Sequence, residues 1–286
     1  MLILELLDGR VLANELTQAQ QAAVERLKQQ GVTPKLVVIM VGDDPASAIY
    51  TQSKQKRATK IGMASELKRL PAETTEAELL ALVKTLNDDH SVDGILVQLP
   101  LPKQINEDHV IQAIDAKKDV DGFSPVNIGQ LWLNQPGLVA CTPNGIMRLL
   151  AAHKIDVAGK NVVIVGRSNI VGRPLAALML NANATVTIAH SRTANLKALT
   201  KTADILVAAI GKPHFFGVDA VKEGAVVIDV GINRLEDGSV TGDVDFEALQ
   251  NHVSAMTPVP RGVGPMTITM LMEQTIEIAK ERVKRG

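Results

Sequence analysis

Three features predict an α/β protein of two domains. Short apolar runs alternate with helical patterns along most of the chain, the order in which parallel sheets are laid down. Between 119 and 142 the alternation stops in a stretch with Gly122, Pro125, Gly129, Pro136 and Gly137, which reads as a loop and as the domain junction. The length, 286 residues, suffices for two cores.

The first half reads as a helix over 10–30, a strand over 35–41, a helix over 45–62, a strand near 65–70, a helix over 76–89 and a strand over 94–99. After the junction a helix follows Pro143, a residue suited to a first helical turn. Then come a strand over 161–165, a helix over 172–182, a strand over 184–189, a helix over 193–200, a strand over 204–209, a helix near 218–221 and a strand over 225–230. Beyond Gly264-Pro265 a long helix is expected over 266–283, with Ile268, Leu271, Met272, Ile276 and Ala279 on one face. It is expected to pack back onto the first domain, making that domain discontinuous. The expected division is a catalytic domain over 1–139 completed by the C-terminal helix 266–286, a nucleotide domain over 140–265, and a cleft between them.

Composition narrows the function. Thirty Lys and Arg against 31 Asp and Glu leave nearly no net charge, so neither nucleic acid nor an anionic membrane is the expected partner, and a small molecule is. A single cysteine, Cys141, excludes an internal disulfide and any multi-cysteine metal site, and the six histidines lack the close pairing of a zinc motif; no metal is expected. Glu5 and Asp8 interrupt the N-terminal apolar run, which a secretory signal would not tolerate, and the long uncharged stretch 122–147 is broken by Pro125, Pro136 and Pro143. A cytoplasmic protein is expected.

Residues 162–174, Val-Val-Ile-Val-Gly-Arg-Ser-Asn-Ile-Val-Gly-Arg-Pro, carry the clearest ligand signal. An apolar strand runs into a turn framed by Gly166 and Gly172, and the next helix begins where its free N–H groups gather, as in a Rossmann-like phosphate site. In the NAD form of that motif an acid about 20 residues on binds the ribose hydroxyls. Here the second strand ends in His190-Ser191-Arg192-Thr193. Ser191 and Arg192, with Arg167, suit a 2′-phosphate, so the expected cofactor is NADP. The bare pattern also occurs as a mere tight strand-to-helix turn, and its position inside a βαβ pattern favours the phosphate site.

Other residues suggest chemistry in the first domain. Tyr50 and Lys54 lie four apart and so share a helix face, with Ser47 a turn earlier; an amphipathic helix with a snorkelling lysine has the same pattern. Lys56, Arg57 and Lys60 add charge that serves a solvated face or draws an anionic substrate tail. Gln98 ends a strand, where open sheets bind ligands, and its amide could bond Lys54 and help keep the amine neutral. Prolines in Gln98-Leu99-Pro100-Leu101-Pro102 also suit an ordinary strand-end turn. Asp119 and Asp121 are either turn caps or a carboxylate that grips an N–C–N ring edge. The segment 258–267 is a rigid linker or a cover for the nicotinamide end of the cofactor.

Seven segments in register resemble the bifunctional methylenetetrahydrofolate dehydrogenase/methenyltetrahydrofolate cyclohydrolase family: Ser47-x-x-Tyr50-x-x-x-Lys54-x-Lys56, Gln98-Leu99-Pro100-Leu101-Pro102, Lys118-Asp119-Val120-Asp121-Gly122, Cys141-Thr142-Pro143-x-Gly145, Gly166-Arg167-Ser168-x-Ile170-Val171-Gly172-x-Pro174, Asp229-Val230-Gly231-Ile232 and Gly264-Pro265-Met266-Thr267. The resemblance implies NADP-dependent oxidation of 5,10-methylenetetrahydrofolate to the methenyl cation, then its hydrolysis to 10-formyltetrahydrofolate, in one-carbon metabolism. It implies Lys54 as the central catalytic residue, Gln98 tuning it, Tyr50 stacking on the aminobenzoyl ring and Asp121 binding the pterin edge. Leu99 and Pro265 are implied substrate contacts. NADP falls on Gly166, Arg167, Ser168 and Ile232, with Ser191 and Arg192 at the 2′-phosphate. A homodimer is implied by the family alone.

Two positions depart from the family's usual pattern: Arg261, where glycine is usual, and Ala140, where proline is. The alternatives are another lysine-using NADP dehydrogenase acting on amino or keto acids, and a non-catalytic NADP-binding protein.

Overall fold

The computed structural model describes residues 3–285. Residues 1, 2 and 286, counted in the expected domains, lie outside them. In chain order the elements are β1 (Glu5–Leu6), α1 (Gly9–Gln29), β2 (Lys35–Val41), α2 (Pro45–Lys60), β3 (Ala64–Leu70), α3 (Glu76–Asp88), β4 (Gly94–Val97), α4 (Glu107–Ala113), α5 (Pro125–Trp132), α6 (Cys141–Ala152), β5 (Asn161–Val165), α7 (Gly172–Asn181), β6 (Thr185–Ala189), α8 (Leu196–Thr200), β7 (Ile205–Ala208), β8 (Val226–Asp229), β9 (Asn233–Arg234), β10 (Val240–Thr241), α9 (Phe246–Leu249), β11 (Ala255–Met256) and α10 (Val263–Arg285).

The chain divides into two compact units. One holds Glu15–Cys141 with the chain from Ile268 onward, around the parallel sheet β3-β2-β4. The other holds the described residues through Asn14 with Thr142–Thr267, around the parallel sheet β1-β11-β8-β7-β5-β6. The first residues fall in the six-stranded unit, not in the expected 1–139 domain, because β1 pairs with β11 through Glu5–Ala255 and Leu6–Met256.

In the three-stranded unit β2 is buried from Leu36 to Val41, the continuous apolar run of a parallel strand covered on both faces. Each such side chain contributes about 1.5–3 kcal/mol on full burial. Helix α3 starts with a reciprocal cap, Thr75 accepting from the Glu78 N–H and Glu78 from that of Thr75. Its C-terminal end is closed by Lys118, whose Nζ donates to the carbonyls of Leu86, Asn87 and Asp89. Arg282 of α10 pairs with buried Asp93 at 3.2 Å and donates to the carbonyls of His90 and Thr33, which seats α10 in this unit.

In the six-stranded unit β5 is followed by β6 on one side and β7 on the other. The chain order therefore reverses at β5, and ligands bind beyond the strand carboxyl ends at such a reversal.

Several elements differ from expectation. The 119–142 stretch is not all loop: Ser124 accepts from the Asn127 N–H and Pro125 occupies the first turn, so α5 forms there. The 218–221 segment is a turn, its Ala220 N–H bonding the Gly217 carbonyl. Strand β4 stops at Val97, leaving Gln98 just beyond it. Helices α6 and α10 begin earlier than expected, with Pro143 and Pro265 inside first turns, where a missing N–H costs nothing. The two-residue strands β1, β9, β10 and β11 and the short helices α4 and α9 were not anticipated.

Candidate active site

Helix α2 begins at Asp44, whose carboxylate accepts from the Ser47 N–H at 2.7 Å, with Pro45 at the first helical position. Its inward face is unusually polar: Ser47 and Thr51 are buried, and Lys54 and Arg57 partly so. Such a face gives up apolar burial, and the reason lies at Lys54. The Lys54 ammonium donates to Gln98 Oε1 at 2.9 Å. Gln98 is fixed in turn, its N–H donating to the Ile39 carbonyl and its Nε2 to that of Leu99, both at 2.8 Å. Burial lowers the Lys54 pKa, while the nearby Asp121 carboxylate and Cys141 oppose the shift.

The two loop aspartates have separate jobs. Asp119 is buried and saturated, accepting from the N–H groups of Gly122 and Ser124 and from Asn127 Nδ2. It is a turn cap. Asp121 receives no hydrogen bond among the described residues, and burial pushes its pKa up to about 6 against the pull of Lys54. Its placement follows from the backbone. Asp119 forms a parallel bridge with Ile95, and the Ile95 N–H bonds the Lys118 carbonyl, so the loop extends the sheet beside β4 and Gln98. Gly122, at φ 68°, then passes so near Val139 and Ala140 that a Cβ would lie 2.5 Å from backbone.

Two members of this cluster were not singled out as site residues in the sequence. Cys141 is buried, donates to the Val120 carbonyl at 3.1 Å, and has its thiol pushed well above the usual range by burial and Asp121. Gln274 of α10 donates to the Val120 carbonyl and Cys141 Sγ and accepts from the Val139 N–H. The cysteine motif pointed toward the first, but nothing local in sequence marks Gln274. Tyr50, a turn before Lys54, is 43% exposed, and Leu99 is partly buried beside Gln98. Pro265 belongs to the other unit, in the first turn of α10. Among the described residues, no group of three or more His, Cys, Asp or Glu side chains is placed to hold a metal ion.

The six-stranded unit carries a nucleotide-shaped cradle at the carboxyl end of β5. Gly166 has φ 131°, and a Cβ on it would lie 2.3 Å from the Ala209 carbonyl oxygen. A Cβ on Gly172 would lie 2.1 Å from the Gly166 oxygen. Ser168 Oγ accepts from the Val171 N–H at 3.2 Å and more distantly from that of Gly172, shaping the turn into α7. Strands β5 and β6 run in register to Val165 and Ala189, so the segments starting at Gly166 and His190 emerge side by side. There His190 Nδ1 accepts from the Arg192 N–H, and the His190 N–H donates to Thr193 Oγ1. That turn leaves Arg167, Ser191 and Arg192 exposed with no acid among them. Ile232, beyond β8, is 52% exposed. Bare backbone at the reversal and exposed cations at the second strand fit a dinucleotide with a phosphate on its ribose.

Fold and site together define a class: an α/β oxidoreductase with a dinucleotide-binding unit and a separate unit bearing a desolvated lysine. Residues 7–121 match the catalytic-domain model of tetrahydrofolate dehydrogenase/cyclohydrolase, and residues 140–283 match its NAD(P)-binding domain. The bifunctional protein FolD of Latilactobacillus sakei subsp. sakei (strain 23K) is 96% identical over 283 residues, 99% of this chain and 100% of that protein. The bifunctional FolD dehydrogenase/cyclohydrolase structure from Campylobacter jejuni has 49% identity and a TM-score of 0.97, covering 98% of this chain and 99% of its own. The Trypanosoma brucei methylenetetrahydrofolate dehydrogenase-cyclohydrolase, solved with NADP and an inhibitor, has 34% identity and a TM-score of 0.95, covering 99% and 100%. The chain belongs to the tetrahydrofolate dehydrogenase/cyclohydrolase family. The amino- or keto-acid and non-catalytic alternatives fall away with that membership.

Proposed function

We infer that the protein oxidises 5,10-methylenetetrahydrofolate to 5,10-methenyltetrahydrofolate with NADP and hydrolyses the product to 10-formyltetrahydrofolate. The observation that carries this reading is the Lys54–Gln98 bond at 2.9 Å, with Lys54 desolvated and Asp121 close enough to shift its pKa. The three-stranded unit serves as the folate domain and the six-stranded unit as the NADP domain.

When bound, NADP supplies the acceptor for the hydride leaving the methylene carbon. Gly166 and Ser168 would hold its phosphates, Arg167, Ser191 and Arg192 its 2′-phosphate, and Ile232 its nicotinamide half. Asp121 accepts two hydrogen bonds from the amino-pyrimidine edge of the pterin, for which it must be ionised. Tyr50, exposed on the Lys54 face, stacks on the aminobenzoyl ring, and Leu99 gives apolar contact to the folate.

Hydride loss leaves a cation delocalised over the folate N–C–N bridge, so an ammonium beside it would oppose the reaction and a neutral amine would not. Burial drives Lys54 toward the neutral form, and Gln98 Oε1 fixes Nζ through one N–H. In hydrolysis, water adds to the methenyl carbon and Lys54 accepts the proton released. It returns that proton to the ring nitrogen as that carbon–nitrogen bond breaks, and the adduct's hydroxyl proton passes to solvent as the formyl C=O forms.

The expected setting is the cytoplasm, supplying one-carbon units to purine, methionine and histidine synthesis, with the protein a homodimer. No helix among the described residues is long and apolar enough to cross a membrane. The test is absorbance of the methenyl product from methylenetetrahydrofolate. Product with NADP supports the assignment; none with either NADP or NAD overturns it.

A further inference from the structure

Two aspartates of the six-stranded unit, Asp229 and Asp243, are buried at 4% and 0% exposure with no cation bonded to either carboxylate among the described residues. Burying unpaired carboxylates is costly, so their partners must matter. Asp229, the last residue of β8, accepts from the N–H groups of Gly231 at 2.9 Å, Asp243 at 3.0 Å and Val244 at 2.9 Å. Asp243 accepts from the N–H groups of Ile210, Gly211 and Lys212 at 2.7, 3.0 and 2.8 Å, and from Asn233 Nδ2 at 3.0 Å. The segments they join, 209–212 after β7 and 230–233 running from β8 into β9, leave the carboxyl ends of two adjacent strands, of which β7 flanks the reversal at β5.

The packing has no room for alternatives. A Cβ on Gly231 would lie 2.3 Å from Asp243 Oδ1, and one on Gly242 would lie 1.9 Å from Asp229 Oδ2. Ile232 is thus held from both sides, Gly231 by Asp229 and Asn233 by Asp243. Neither carboxylate is aimed at a ligand; all seven bonds go to the protein's own loops.

We propose that Asp243, anchored by Asp229, is a positioning residue that pre-assembles the loops receiving the nicotinamide half of NADP, so that it sets cofactor affinity without touching the cofactor. This rests on the assignment above. In Asp243→Asn the amide NH2 replaces one oxygen, and whichever way it turns, two of the four donors meet a donor. Loops that must be ordered again on binding raise the dissociation constant.

The experiment measures NADPH binding by fluorescence titration, and methenyltetrahydrofolate hydrolysis without cofactor, for wild type and Asp243→Asn. Wild type is measured first: if it neither binds NADPH nor hydrolyses the folate, the functional assignment fails, separately from this proposal. The expected result is a rise in the NADPH dissociation constant of about tenfold or more, with hydrolysis kept within about twofold, consistent with two lost hydrogen bonds. Unchanged NADPH binding, or hydrolysis falling in step with binding, overturns the proposal. Should Asp243→Asn fail to fold, Asn233→Ala removes a single donor; a rise of about threefold in the dissociation constant with normal hydrolysis supports the proposal, and no rise overturns it.

Discussion

Asp121 in one unit and Asp229 in the other are both pushed up to about 6 by burial, yet they are built for different work. Asp229 is offset by three backbone N–H donors, fixed parts of the fold. Asp121 is offset by Lys54, a charge that comes and goes with a proton. The contrast extends to the surroundings. Among the described residues of the six-stranded unit no buried side-chain N or O atom lacks a partner, and the groups proposed for the 2′-phosphate, Arg167, Ser191 and Arg192, stand in solvent. In the three-stranded unit the groups proposed to react, Lys54 and Asp121, are themselves desolvated and sparsely bonded. Recognition of a permanently charged phosphate needs exposed cations on a stiff frame, whereas proton transfer needs groups whose charge is poised to change.

That contrast breaks most visibly at Lys54. Lys54→Ala is expected to reduce methenyl hydrolysis by about 10²–10⁴-fold, the usual worth of a positioned proton-transfer group, with NADPH binding within about twofold of wild type. Hydrolysis rates beside a binding titration check it. Arg192→Ala is expected to weaken NADP by about 10–100-fold and NAD hardly at all, since a charge-assisted phosphate bond is worth about 1.5–3 kcal/mol. Equal losses for both cofactors would remove Arg192 from the phosphate site.

Asp121 sharpens the comparison through pH. Its folded pKa lies above the ordinary carboxylate value, so the ionised form, the one proposed to bind the pterin, is present above about 6 and lost as pH falls through it. The folate KM of wild type should therefore rise several-fold between pH 7 and pH 5, about tenfold per pH unit well below the pKa at most. In Asp121→Asn that limb should vanish, leaving a KM that is high at every pH. Persistence of the limb in Asp121→Asn would assign it to another group.

The smallest effect concerns Arg261, a non-glycine residue at φ 94° in the loop following β11. Arg261→Gly should raise stability by about 1 kcal/mol, the cost of holding an L-residue in that region, read as a higher denaturation midpoint with hydrolysis unchanged.

The parts legible in the sequence were those with local patterns. The apolar runs of β2, β5 and β7 and the spacing of Tyr50 and Lys54 reflect periodicity within a few residues, and the turn at Gly166 has a backbone requirement visible as glycine. Helix α5 was hidden because Pro125 and Gly129 read as loop, although a proline at a first helical position behind a Ser124 cap is a start signal. Strands β1 and β11 have two residues each and exist only by pairing with one another and β8, a relation no local window contains. The same holds for Gln274 against Cys141 and for Asp243 against the 210–212 loop. A buried carboxylate that bonds only distant backbone N–H groups leaves no periodic trace.

The division of labour between the units is tested most directly by measuring Lys54→Ala and Arg192→Ala side by side for cofactor-free methenyltetrahydrofolate hydrolysis and for the NADP dissociation constant. The prediction is a crossed result: Lys54→Ala loses hydrolysis and keeps NADP affinity, while Arg192→Ala loses NADP affinity and keeps hydrolysis. Hydrolysis retained by folded Lys54→Ala, or parallel losses in both variants, would contradict it.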